Sequence, residues 1–157
     1  MKRFALLSLA ATMLVACNPN PAAPEVIGNL DGDWSDLGNI DVAIVGVTED
    51  IATIYDDQFQ AVDGNITQGY SVALPAQAAD GIYQVVAFVD ENDNSEYDLS
   101  EKVGDSGNKY LQFSQEDKDD GVSGWSSKEG LSGEPVNAAA FSDFDLQRTD
   151  GGNSDAD

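Results

Sequence analysis

The chain contains no histidine and one cysteine, and seven of its 157 residues carry positive charge. Without histidine there is no Ser-His-Asp triad, no imidazole-bound zinc or copper, and no imidazole acid–base step. A single cysteine excludes an internal disulfide, a thiolate zinc cluster and a redox dithiol. Stability must come from a packed core, a metal ion, or both. Long apolar runs are missing too: a membrane-spanning helix needs about 20 apolar residues, and no stretch reaches that. Against the scarce cations stand 29 Asp and Glu residues, for a net charge of −22. Nucleic acid phosphates and anionic headgroups repel such a surface, so no nucleic acid partner is expected. The plain reading of this acidity is solubility. The sharper one is that divalent cations neutralise part of it, and the two are compatible.

The chain opens MKRFALLSLAATMLVAC. Lys2 and Arg3 form a positive start, and Phe4 to Val15 is apolar except for Ser8 and Thr12, the layout of a cleavable secretory signal over residues 1–16. Leu14-Val15-Ala16-Cys17 resembles a lipobox, the tetrapeptide after which bacterial lipoprotein signals are cut before a diacylated cysteine. The resemblance implies that Cys17 is lipidated and that the protein is extracytoplasmic, anchored to a bacterial membrane. The alternative is an ordinary signal peptide with Cys17 a chance residue or a buried thiol. Two or more acyl chains hold a membrane firmly where one is marginal. Loss of Lys2 and Arg3 leaves five positive against 29 negative residues, a net of −24. Residues 17–24 then form a lipidated cysteine and tether, in which Pro19, Pro21 and Pro24 favour an extended chain reaching roughly 20 Å. Thr149 to Asp157 reads as a disordered acidic tail. One domain is expected over residues 25–148.

Within it, short β-branched apolar runs recur between Gly, Asn, Asp and Pro, the pattern of an all-β protein. Strands are expected at Val26–Leu30, Ile40–Val47, Ala52–Tyr55, Ile66–Leu74, Ile82–Val89, Tyr110–Phe113, Val122–Trp125 and Val136–Leu146. Tyr70, Val72 and Leu74 alternate with Ser71 and Ala73, as one buried face demands. Ile82–Val89 is almost wholly apolar and should be central. The expected class is a single antiparallel β-sandwich, Ig-like or transthyretin-like, of about seven or eight strands. Val26-Ile27-Gly28 with Trp34, then Ser71-Val72-Ala73-Leu74-Pro75, then a Y-x-V-V-A-F-V-D strand running into an Asp/Asn-rich loop, resemble transthyretin-like or carboxypeptidase-regulatory-like domains. That resemblance spans Val26 to Glu101 and implies a structural or binding module without catalysis.

The segment Asp90-Glu91-Asn92-Asp93-Asn94-Ser95-Glu96-Tyr97-Asp98-Leu99-Ser100-Glu101 carries the strongest local signal. Calcium takes six to eight oxygens, and a twelve-residue loop offers them from positions 1, 3, 5, 7, 9 and 12. Those positions are Asp90, Asn92, Asn94, the backbone carbonyl of Glu96, Asp98 and Glu101, with Glu101 where a bidentate carboxylate closes the site. The spacing resembles an EF-hand loop, with two departures. Ser95 stands where EF-hands place glycine, and the preceding Val85–Val89 reads as strand. The expectation is therefore a structural Ca²⁺ loop grafted between strands; the alternative is a solvated acidic turn, since so acidic a chain produces metal-like spacings by chance.

Asp31, Asp33 and Asp36 form a second candidate metal cluster, or more simply a turn with Trp34 packed beneath. Glu116 to Gly121 reads as an exposed acidic loop. Trp34 and Trp125 could stack on a sugar or could pack in the core. No catalytic residue is assigned, and an enzyme is not expected. Three roles stay open: a calcium-stabilised structural or envelope-assembly lipoprotein, a module binding an envelope glycan or protein, and a carboxylate-pair hydrolase. The last would need two carboxyl groups about 5–9.5 Å apart across a pocket.

Overall fold

The computed structural model describes residues 24–47, 54–62, 68–119 and 123–149, with 54–62 as backbone alone. The expected signal, Cys17 and nearly all of the tether and tail lie outside the described residues. The two exceptions belong to the domain. Pro24 is buried and its carbonyl accepts the Leu74 N–H at 2.9 Å, and the Thr149 N–H donates to the Val103 carbonyl at 2.9 Å. Among the described residues no helix is long and apolar enough to cross a membrane.

The protein is all-β, as expected. Its strands are β1 (Glu25–Asp31), β2 (Asp41–Val47), β3 (Ile54–Val62), β4 (Gly69–Ala73), β5 (Gly81–Phe88), β6 (Lys102–Asp105), β7 (Lys109–Phe113), β8 (Trp125–Glu129), β9 (Val136–Asn137), β10 (Ala140–Phe141) and β11 (Leu146–Arg148). A short helix, α1 (Gln115–Asp119), precedes β8. β1, β2, β4, β5 and β7 fall where hydrophobic patterning placed strands. β6 was not expected, because Lys-Val-Gly-Asp has no apolar alternation of its own. The long run expected at Val136–Leu146 breaks into β9, β10 and β11, with Asp143 at φ 63° between the last two.

β5 is central, as its composition demanded. It pairs antiparallel with β2 from Ile82 to Phe88 along one edge. Its other edge carries two strands in succession, β6 opposite Val86–Phe88 and β7 opposite Gly81–Tyr83. Between these, Ser106–Asn108 form a turn, and Gly107 at φ 59° reverses the chain while its carbonyl accepts the Gln84 side-chain amide at 3.1 Å. The β5–β6 ladder has its own irregularity between Ala87 and Phe88, and a bulge there bends a sheet. Here the network divides: β7 continues to β8 and β9, whereas β6 continues to β11, β1 and, on β1, to β10 and β4. The result is one hydrogen-bonded network curled into a half-barrel, rather than two cleanly separate sheets.

The curl brings β1 and β4 over β2, β5 and β7. Val26, Tyr70, Val72 and Leu74 pack in one cluster with Val42, Ile44, Tyr83, Val85, Leu111 and Phe113. Trp125 is fully buried at its centre, with its ring 5.2 Å from Tyr83 and 5.1 Å from Phe113 in edge contacts, and its indole N–H donates to the Pro75 carbonyl at 2.8 Å. Alternation along β2 and β5 sends Ala43, Val45, Val86 and Phe88 to the opposite face. That face is buried as well, and the fifth member of its cluster is Tyr97.

Candidate metal centre

The twelve-residue loop Asp90–Glu101 joins β5 to β6, so its two ends are neighbours in a ladder. Phe88 stands opposite Lys102, and the Val89 N–H donates to the Glu101 carbonyl at 3.1 Å. A hairpin neck of this kind holds positions 1 and 12 side by side, and one 3₁₀ turn at Leu99–Glu101 leads straight into β6. The segment thus lies between two strands, as its flanks suggested.

Inside the loop, side-chain oxygens take up backbone donors. Asp90 Oδ1 accepts the Asn94 N–H at 3.1 Å and Oδ2 the Ser95 N–H at 2.8 Å. Asn92 Oδ1 accepts the Asn94 N–H at 2.9 Å, and Asn94 Oδ1 the Glu96 N–H at 2.7 Å. Such side-chain turns are why Asp and Asn suit tight loops. Asp93 and Ser95 both sit in the left-handed region, at φ 57° and 61°. Ser95 thus takes the conformation a glycine would adopt freely, at a cost of about 1–2 kcal/mol for a residue with a Cβ.

The side-chain amides of Asn92 and Asn94 both donate to Asp98 Oδ2, at 2.8 and 3.2 Å. Asp90, Asn92, Asn94 and Asp98 are thereby brought into one interlocked group. Glu96 is exposed. At the neck, Glu101 is 6 % exposed; its Oε1 accepts the Glu91 N–H at 3.1 Å, while Oε2 is buried with no hydrogen-bond partner. Among the described residues no three Asp or Glu side chains converge into a ready cage. The donor set is oxygen-rich and hard, which suits calcium over softer metals. The amides of Asn92 and Asn94 meet Asp98 through nitrogen while their oxygens accept the Asn94 and Glu96 N–H groups. Presenting oxygen toward Asp98 would require the loop to give up those two bonds.

The second acidic cluster folds around its own cation. Arg148 donates from Nη1 to the Asp33 carbonyl at 2.7 Å and to Asp36 Oδ1 at 2.6 Å, and from Nη2 to Asp36 Oδ2 at 3.2 Å. The Arg148 hydrogen bond holds the Asp36 carboxyl below the usual carboxylate range, and the Ser35 N–H does the same for Asp33. Trp34 lies buried beneath, its indole N–H donating to the Asp31 carbonyl at 2.8 Å and its ring 5.9 Å from the Arg148 guanidinium. This is the turn over a packed tryptophan. With Trp34 and Trp125 both buried, neither ring can stack on a sugar.

Two clefts of about 380 and 390 Å³ adjoin at Lys109 and Glu129. The first is floored by Phe144 and flanked by Ser127, Lys128 and Ser142; Asp31, Asp143 and Asp145 line the second. Of these residues only Asp31 was a candidate from sequence; the others were not singled out, since β7, β8 and the β10–β11 turn meet only in three dimensions. It also passed over Tyr97, although an aromatic inside an acidic loop was a visible signal. Compared with known proteins, the chain matches no family model, no curated protein and no solved structure.

Proposed function

We propose that this protein is an extracytoplasmic lipoprotein, anchored to a bacterial membrane through Cys17, whose β-sandwich-like domain is stabilised by Ca²⁺ in the Asp90–Glu101 loop and serves a structural or envelope-assembly role. One observation carries the calcium reading: the buried Glu101 carboxylate has an oxygen without a partner, at the neck of a loop in which Asp90, Asn92, Asn94 and Asp98 are linked by hydrogen bonds. Burying an unpaired charge is costly, and a cation beside Glu101 removes the cost. The Ser95 backbone adds support, because the loop holds a strained turn in the position where an EF-hand has its glycine. Extracellular calcium modules bind with dissociation constants of about 10⁻⁴–10⁻³ M, which fits a constitutively filled structural site.

Thermal unfolding in EDTA, in calcium, and in magnesium at equal ionic strength tests the metal, beside an Asp90→Ala/Glu101→Ala variant. A calcium-specific rise in melting temperature that the variant lacks is expected; equal effects of the two cations would refute it. The anchor is tested by Cys17→Ser, which should move the protein from the membrane to the soluble fraction and prevent the mass gain of acylation. A glycan- or protein-binding role is the second reading, favoured by the paired clefts at Lys109. Loss of a bound envelope component on Lys109→Ala would establish it.

A further inference from the structure

The main core draws on many strands and on Trp34, Ile40, Leu74 and Phe144 between them, whereas the cluster on the opposite face of β2 and β5 is small. Ala43, Val45, Val86 and Phe88 are buried to 2 % exposure or less. Four of the five residues in that cluster sit on β2 and β5. Among the described residues, Tyr97 is the single member that comes from outside these strands. Its ring meets Phe88 edge-on, with centroids 5.5 Å apart and planes at 79°, and Tyr97 itself is 4 % exposed. Tyr97 lies in the Asp90–Glu101 loop, between Glu96 and Asp98. Its flanks are the exposed residues Asn92 to Glu96 on one side and Asp98 to Ser100 on the other, Leu99 being 56 % exposed. No other side chain of that stretch is buried before Glu101. Two inward side chains, Tyr97 with its ring on Phe88 and Glu101 with its carboxylate, therefore tie the loop to the protein.

These two ties oppose each other when no cation is present. Tyr97 gains by lying on Phe88, whereas Glu101 loses by holding an unpaired carboxylate oxygen out of water. We propose that the loop is a calcium-operated latch: calcium at Glu101 holds Tyr97 over Phe88, and without it the loop lifts and uncovers the Phe88 end of the apolar outer face of β5. The inference rests on the calcium reading of the same loop and adds what the ion controls. The β5 ladder with β2 runs over its full length independently of the loop, so the strands persist while the cover opens. The metal then keeps Phe88 covered, and its removal leaves the main core around Trp125 intact.

Hydroxyl-radical footprinting of the full-length chain in detergent, read by peptide mass spectrometry, measures ring exposure residue by residue. With calcium, Tyr97 and Phe88 should be protected; in EDTA, with or without magnesium, oxidation of both should rise several-fold while Phe113 and Trp125 stay unchanged. Calcium binding is measured separately by calorimetric titration with the metal alone. Glu101→Gln removes the ligand and the unpaired charge together, so it should lose calcium binding. Its Tyr97 and Phe88 oxidation should be the same in calcium as in EDTA, and below that of wild type in EDTA. Tyr97→Ala should leave Phe88 reactive in both conditions while still binding calcium. If that variant does not fold, the wild-type comparison decides by itself. Calcium binding without any change at Phe88 would overturn the latch and leave the metal site standing. Absence of calcium binding would overturn both.

Discussion

Replacing Glu101 by Gln should change stability in opposite directions with and without calcium. In EDTA the wild-type protein holds a carboxylate that is 6 % exposed, with Oε1 on the Glu91 N–H and Oε2 unpaired. A buried unsatisfied group costs about 1–3 kcal/mol, more when charged. Gln keeps the shape and an acceptor for Glu91, and it removes the charge from a chain already at −22. Its own unpaired amide returns part of the cost, so a net gain of about 1 kcal/mol is expected without metal. In calcium the order reverses. A site with a dissociation constant of about 10⁻⁴–10⁻³ M, in about 10 mM calcium, stabilises the native state by about 1.4–2.7 kcal/mol. At about 4 °C per kcal/mol for a domain of this size, wild type should gain about 6–11 °C on adding calcium. Glu101→Gln should start about 4 °C higher in EDTA and gain little. Differential scanning calorimetry of both proteins in both buffers reads the crossing. A variant destabilised by the same amount in EDTA and in calcium would refute the reasoning, since Glu101 would then act through packing alone.

Further predictions concern the frame. A Cβ at Gly28 would lie 2.1 Å from the Phe144 carbonyl oxygen and 2.7 Å from the Tyr70 ring, so Gly28→Ala should cost about 3 kcal/mol, read by urea unfolding. Arg148→Ala removes the forked bond to Asp36 and the cation above Trp34, and should cost about 1 kcal/mol together with a red shift of the Trp34 emission as the ring gains water. Tyr70 donates its hydroxyl to the Phe144 carbonyl, and burial, aided by the Asp145 charge, pushes its ionisation well above the ordinary tyrosine value. The neutral ring is thus favoured in the fold. Stability from this group is complete below about pH 10, where the unfolded tyrosine is also neutral, and falls as pH rises beyond it. Denaturant midpoints taken from pH 9 upward should decline, and Tyr70→Phe should be less stable at pH 9 but flatter above it. A parallel decline in both proteins would remove Tyr70 as the cause.

Much of the molecule was legible in residue order, because its cause is local. Short β-branched runs marked β1 and β2, two-residue alternation marked β4, an almost wholly apolar run marked β5 as central, and oxygen spacing marked the segment from Asp90 to Glu101, with Ser95 at its sharp turn. What residue order could not supply was partnership across distance. β6 is a strand because Phe88 and Gln147 lie on either side of it, not because Lys-Val-Gly-Asp favours one. The division of the network at Ser106–Asn108, which curls the fold instead of stacking two plain sheets, depends on the register of three strands at once. Asp36 reads as a ligand until Arg148, 112 residues away, arrives beside it. Tyr97 reads as a loop residue until Phe88 meets its ring. Propensity and spacing act between neighbours in the chain, whereas burial and charge pairing act between neighbours in space, and a β-network brings the second kind together from segments the first kind cannot connect.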